Sequence, residues 1–170
     1  MKIPRFDNAH ILTIGDAMLD RYWHGDTHRV SAEAPIPVID VSSIEDRPGG
    51  AANVALNVAT LGAASSLIAA TGQDEMSDIL ESKLSSSGID CHFIKVEGMS
   101  TITKVRLVSR SQQMIRADFE ALFDIDADQV LKAMDLVPRY DSVVLSDYDK
   151  GLFSDPSSII EHARESGRPV

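Results

Sequence analysis

The run Pro48-Gly49-Gly50-Ala51-Ala52-Asn53 has the residue types needed to hold a small polar ligand. Two adjacent glycines leave a turn without side chains, so backbone N–H groups can approach a ligand closely. The Ala-, Val- and Leu-rich stretch that follows, as far as Leu61-Gly62, reads as a helix whose positive N-terminal end faces the same place. Asn53 falls in its first turn and offers both a donor and an acceptor. For a glycine pair taken alone, the alternative is a tight strand-to-helix connection.

Acidic and basic groups fall at suggestive positions elsewhere. Asp16, after Gly15, and Asp20 lie at the carboxyl end of a buried strand, His10 to Ile14, which is where open α/β sheets bind ligands. A carboxylate accepts hydrogen bonds from two neighbouring hydroxyls and so reads a sugar diol; capping the next turn is the other role open to it. Lys104, Arg106 and Arg110 alternate along one strand and are expected on one face. In a chain of net charge −10, such a basic face points to an anion, most simply a sugar phosphate. Arg116 on the return strand joins it in only one hairpin register, which the sequence leaves open. Pairing with Asp118 and Glu120 on a solvated strand is the alternative. Asp147 and Lys150 follow the buried strand Val143-Val144-Leu145, and are placed either to meet a hydroxyl and a phosphate or simply to form a loop. The five histidines show no metal-ligand spacing, no serine sits in a nucleophile elbow, and Cys91 has no evident activating partner.

The elements that must position these groups alternate. Strands are expected at 10–14, 66–70, 91–96 and 142–145, and helices at about 51–61, 76–87, 127–136 and 156–165. Gly88 and Gly167 stand at helix C-termini, and Asp155-Pro156 supplies an acidic N-cap with proline at the first helical position. Such alternation indicates βαβ units and a mostly parallel sheet. Pro35 to Val41, with two prolines, suits an edge strand, and 101–109 with 114–120 reads as a hairpin around Ser111-Gln112. These do not fit the alternation and are expected to form a separate small sheet, a lid. Arg168-Pro169-Val170 stands where a further parallel strand is expected, so the chain reads as the N-terminal part of a larger domain.

Composition narrows the classes. Hydrophobic content of 44% with 25% charged residues is ordinary for a globular protein. The acidic balance argues against nucleic acid or an anionic membrane surface as partner. One cysteine excludes an internal disulfide, and no apolar run reaches membrane-span length, so the expected location is the cytoplasm.

Gly49-Gly50, Asn53, the small Ala55, Gly62 and Gly72 resemble, in order and spacing over 24 residues, the N-terminal motif of the ribokinase-like carbohydrate kinases. The resemblance implies a mostly parallel α/β sheet flanked by helices, with a small β lid at about 25–47 and 100–120. Residues 1–170 would be the N-terminal half of that domain. It implies that Gly49, Gly50 and Asn53 contact sugar hydroxyls, and that Asp16, in its Gly-Asp context, supplies a carboxylate for the sugar. GDAMLDRYWHGDTHRVSAEAPIPV (Gly15–Val38), RPGGAANVALNVATLGA (Arg47–Ala63), TITKVRLVSRSQQMIRADFE (Thr101–Glu120) and LSDYDKG (Leu145–Gly151) further resemble the bacterial branch that phosphorylates a heptose 7-phosphate, often fused to an adenylyltransferase. That branch implies transfer of the ATP γ-phosphate, with Mg2+, to the anomeric hydroxyl, on the route to ADP-heptose and the lipopolysaccharide core. It also implies a homodimer clasped through the lids.

Two features depart from the pattern. Ala32 replaces a proline usual in the branch and bears on lid stiffness. The Asp-Thr-x-Gly-Ala-Gly-Asp run that carries the family's catalytic base, and the Asn-x-x-Glu segment associated with magnesium, do not occur in these 170 residues. The expectation is therefore a chain with most of the sugar side, no ATP site and no kinase activity by itself.

Overall fold

A computed structural model of the chain describes residues 5–170 apart from positions 121, 126 and 154. The elements follow in the order β1 (His10–Gly15), β2 (Ala17–Val30), β3 (Pro37–Gly50), α1 (Ala51–Thr60), β4 (Ala64–Gly72), α2 (Glu75–Ser86), β5 (Asp90–Val96), β6 (Thr103–Ser109), β7 (Gln112–Phe119), α3 (Ala127–Met134), β8 (Ser142–Ser146) and α4 (Pro156–Glu165). A 3-10 turn, Val137–Arg139, precedes β8.

The first sheet has the order β5-β4-β1-β8 and is parallel throughout. Its inner strands are apolar on both faces because helices cover both. On β4, Leu67 and Ala69 pack with Ala51, Ala52 and Ala55 of α1 and with Leu80 and Leu84 of α2. Ile68 and Ala70 point the other way, onto a cluster with Leu12, Ile14, Val143 and, from α4, Ile159 and Ala163. Removing each fully buried Leu or Ile from water contributes about 1.5–3 kcal/mol. The alanine face of α1 allows that helix to lie close to the sheet, which sets where its first turn ends up.

The helix ends follow the sequence signals. Gly88 and Gly167 adopt φ of 77° and 71° just beyond α2 and α4. The Asp155 side chain caps α4 by accepting from Ser157 N at 2.9 Å, with Pro156 in the first turn.

The second sheet has the order β3-β2-β6-β7; β2 runs antiparallel to β3 and parallel to β6, and β7 returns antiparallel to β6. β3 is an edge strand, as its prolines require. Several expectations need correction. Ala17–Val30 is a 14-residue strand where none was anticipated, and β3 extends to Gly50 rather than ending at Val41. The polar residues of β2 hid it: Asp20 and Tyr22 alternate with Leu19, Arg21 and Trp23, and Arg21 is neutralised by Asp46 through two hydrogen bonds of 2.7 and 2.9 Å. The hairpin turn is Arg110-Ser111, with φ of 49° and 67°, not Ser111-Gln112. Two positive φ values in a two-residue loop give the twist that matches paired strands. Arg110 thus belongs to the turn, and its expected place on a common strand face with Lys104 and Arg106 is not observed. At the chain end, the carbonyl of Pro169 accepts from Val143 N at 2.9 Å; no strand forms over 168–170, and this contact is what the structure shows of the expected neighbour.

Asp74 ties the sheets together. It caps α2 by accepting from Ser77 N at 2.9 Å and takes Thr101 N and Oγ1 at 2.7 and 2.6 Å, just before β6. Burial opposes its charge, but the hydrogen bonds from Thr101, Ser77 and Met76 more than offset that and hold the carboxyl below the usual range. Asp74→Ala is expected to cost about 1–3 kcal/mol in urea unfolding. Because the folded pKa is depressed, the carboxylate's contribution is full above the unfolded value and fades as pH falls through the folded one. The gap between wild type and variant therefore begins to narrow below about pH 4. An equal gap at pH 3 and pH 7 would contradict this.

Candidate functional site

β3 ends at the glycine pair and α1 begins at once. Gly50 takes φ 56° as the residue before the helix, and a Cβ there would overlap the carbonyl of Asp16. A Cβ on Gly49 would lie 2.7 Å from Oδ2 of Asp20. Gly50 therefore requires glycine, by backbone conformation and by the carbonyl beside it, while Gly49 leaves room for the close approach of the Asp20 carboxylate. The resulting open cleft, of about 500 Å3, is lined by Asp20, Gly49, Gly50 and Asn53, together with Arg47 and Lys83. Asn53 is exposed in the first turn of α1, close to the helix N-terminus.

Asp16 has a different setting. It is 3% exposed, and its Oδ2 accepts from Tyr148 N at 2.8 Å and Lys150 N at 3.2 Å. Burial pushes its pKa up; the backbone N–H groups of Tyr148, Lys150 and Leu152 partly counter this, and nearby Asp147 adds to the rise. Asp147 itself accepts from Asp149 N at 2.8 Å, a local turn that accommodates the φ of 58° at Asp149. These two carboxylates shape the loop after β8.

The register settles the question that the sequence left open for Arg116. Arg106 stands directly opposite Arg116 on β7 and opposite Tyr22 on β2, so all three share a face. Lys104 lies between Asp20 and Asp118 on that same face. Each cation is engaged. Arg106 donates to Asp20 at 2.6 Å, and Lys104 to Asp118 and Glu120 at 3.1 and 3.0 Å. Arg116 pairs with Asp118 at 2.9 Å, and Lys150 with Glu120 at 3.1 Å. Glu120 thus links the loop after β8 to the second sheet. Contacts with Lys104 and then Lys150 hold its carboxyl below the ordinary range. Lys104 is the converse: burial works against its charge, and Glu120 and Asp118 more than compensate, so its pKa is raised.

Of the ten expected site residues, Asp20, Gly49, Gly50 and Asn53 converge on one cleft. Lys104, Arg106 and Arg116 lie on the adjoining sheet face, joined to the cleft through Arg106 and Asp20. Lys150 reaches that face through Glu120, and Asp16 and Asp147 stand behind the loop. Arg47 and Lys83 line the cleft without having been anticipated. Arg47 had a usable signal in its position beside Pro48-Gly49-Gly50; Lys83, on α2, had none, because only the packing of α2 brings it there.

The family model for the pfkB family of carbohydrate kinases matches residues 8–166. The chain belongs to that family. It is 53% identical to the bifunctional protein HldE of Alkalilimnicola ehrlichii over 99% of this chain and 36% of that protein. To the HldE of Ectopseudomonas mendocina it is 48% identical over 100% of this chain and 36% of that one. The chain thus spans about a third of the length of these relatives. In fold it matches a carbohydrate kinase from Agrobacterium tumefaciens with a TM-score of 0.70 and 17% identity, covering 95% of this chain and 52% of that one. Arabidopsis thaliana ribokinase, solved with ribose and ATP, gives 0.69 with 18% identity over 95% and 52%. These structures bear out the ribokinase-like α/β architecture, and about half of each is matched.

Asp16→Ala would leave the amides of Tyr148 and Lys150 without their acceptor, at a cost of about 1–3 kcal/mol. Hydrogen exchange at those two amides is expected to speed up by about tenfold or more, with β4 amides unchanged. Unaltered protection at both positions would show that the carboxylate does not hold the loop.

Proposed function

We propose that the chain forms the sugar-binding half of a kinase that phosphorylates D-glycero-β-D-manno-heptose 7-phosphate at its anomeric hydroxyl, giving the 1,7-bisphosphate. The observation that carries this reading is the cleft in which a carboxylate, a glycine turn and an asparagine meet beside a basic sheet face. Family membership supports a carbohydrate kinase, and the HldE relatives together with the resemblance of Gly15–Val38 and Thr101–Glu120 favour the heptose branch. In this reading Asp20, Gly49, Gly50 and Asn53 take the sugar hydroxyls. Asp16 and Asp147 hold the loop against which the sugar rests. Lys104, Arg106, Arg116 and Lys150 supply a positive field for a phosphorylated substrate in an otherwise acidic protein.

ATP and Mg2+ belong to the complete enzyme, where they supply the transferred phosphoryl group and shield its charge. Among the described residues no group of three or more His, Cys, Asp or Glu is gathered, and the magnesium ion is not assigned to any residue of this chain. The sequence carries no Gly-Ala-Gly-Asp run, and the base that takes the proton from the attacking hydroxyl is not assigned to any residue of this chain. No helix of the described structure is long and apolar enough to cross a membrane; the reading places the enzyme in the cytoplasm, on the way to ADP-heptose and the lipopolysaccharide core.

The assay is ATP-dependent phosphorylation of the heptose 7-phosphate by the 170-residue chain and by the product of the complete reading frame. Activity is expected in the complete product and none in the chain alone. In the active form, Asp20→Ala should lower kcat/KM by about 10- to 100-fold, the worth of a charged hydrogen bond. Turnover of an unphosphorylated sugar in preference to the heptose phosphate would overturn the substrate assignment.

The second sheet is read as a lid that pairs with its counterpart in a homodimer. Its far face carries Ile44, Trp23, Leu107 and Ile115 in one cross-strand row, and the two isoleucines are each 57% exposed. Edge strands and an apolar row of this kind favour self-association. Sedimentation of the complete product at micromolar concentration should show a dimer, and Ile44→Glu with Ile115→Glu should shift it to monomer. A monomeric wild type would sink the clasp.

A further inference from the structure

We infer that Arg47 and Lys83 form the direct anion-binding pair of the cleft, with Tyr22 as the residue that positions Arg47. This rests on the reading of the substrate as a sugar phosphate and specifies which cations touch it. The cations on β6 and β7 are already occupied: Asp20, Asp118 and Glu120 each lie within 3.1 Å of one or more of them. They shape the field from the sheet face and do not line the cleft. Arg47 and Lys83, by contrast, are the basic side chains that line the cleft beside Gly49, Gly50 and Asn53.

Arg47 is held in place on two sides. Its Nε and Nη2 donate to Glu45 at 2.7 and 3.0 Å, leaving Nη1 available. Its guanidinium stands 4.6 Å from the centre of the Tyr22 ring, and that of Arg106 stands 5.1 Å from the same ring. The Tyr22 ring thus holds each guanidinium by a cation–π contact. The Glu45 pair is exposed on both sides and solvent-screened, so it orients Arg47 without burying the charge. Lys83 comes from the last turn of α2, half-buried, and carries no ion pair among the described residues. The free Nη1 of Arg47 and the ammonium of Lys83, brought from two elements, are suited to hold one phosphate dianion while Asp20 and Asn53 take the hydroxyls.

The test is calorimetric titration of the complete reading-frame product, without ATP, with D-glycero-D-manno-heptose 7-phosphate and with the unphosphorylated heptose. Arg47→Ala and Lys83→Ala are each expected to weaken binding of the phosphate about tenfold or more and to leave binding of the free sugar within twofold. Tyr22→Leu should weaken the phosphate in the same way, and Tyr22→Phe, which keeps the ring, should restore it. Lys95→Ala, a paired surface lysine on β5, serves as the control and should bind as wild type. If wild type binds the phosphate and both cleft variants bind it equally well, this inference fails while the kinase reading stands. If wild type binds no phosphorylated heptose, the substrate reading fails and takes this inference with it.

Discussion

The structure turns on the backbone around Asp16. Its N–H donates to Ser146 O at the end of β8, and its carbonyl accepts from Ala51 N at the start of α1. Its side chain holds the loop after β8 through Tyr148 and Lys150. One residue therefore joins the last rung of the parallel sheet, the first residue of the second sheet, the N-terminus of the site helix and the loop opposite. The packing leaves no room for side chains on the flanking backbone: a Cβ on Gly15 would overlap Ser146 O, and one on Gly50 would overlap Asp16 O. Burying the Asp16 carboxylate costs enough to raise its pKa, and the loop N–H groups return part of that cost as order.

From that junction the second sheet projects as an extension of the first. Only Asp16 separates β1 from β2, so the direction of β2 follows from that of β1. The two sheets are then tied at two more points by different chemistry. Asp74 binds Thr101 just before β6 through two short hydrogen bonds and caps α2 through a third, from Ser77 N. Glu120 spans Lys104 and Lys150 through ion pairs that are 17–31% exposed. The first is a neutral-to-charged hydrogen-bonded junction, insensitive to moderate salt. The second loses strength as ionic strength rises or as an anion competes for either lysine. The stable tie thus lies near the helix layer, and the exchangeable one lies on the face that carries the cations.

How much of this was legible in the sequence depends on what fixes each part. The parallel sheet was readable, because strands buried on both faces leave unbroken apolar runs such as Leu67-Ile68-Ala69-Ala70. The glycine pair and Asn53 were readable because their constraint is local: a turn without side chains leading into a helix. β2 was not, since charged and polar residues break up its apolar pattern, and the partners that neutralise Arg21 and Asp20 lie 25 and 86 residues away. Arg116 could be placed only by the register, and the register follows from the turn at Arg110-Ser111 and the irregularity after Leu107. Lys83 depends on how α2 packs, which no local signal encodes.

The two faces of the second sheet divide the work by charge. Cross-strand register aligns Ile44, Trp23, Leu107 and Ile115 on one face, and Glu45, Tyr22, Arg106 and Arg116 on the other. Because side chains alternate along these stretches of regular pairing, a slip of one residue would exchange the rows and place cations where the apolar row now lies. The long pairing of β2 with β3 prevents such a slip by anchoring one end at Gly50, where only glycine fits. The same constraint that shapes the cleft therefore also fixes which face of the sheet carries charge. In a protein of net charge −10, that fixed register is what allows a local positive field to stand beside the site.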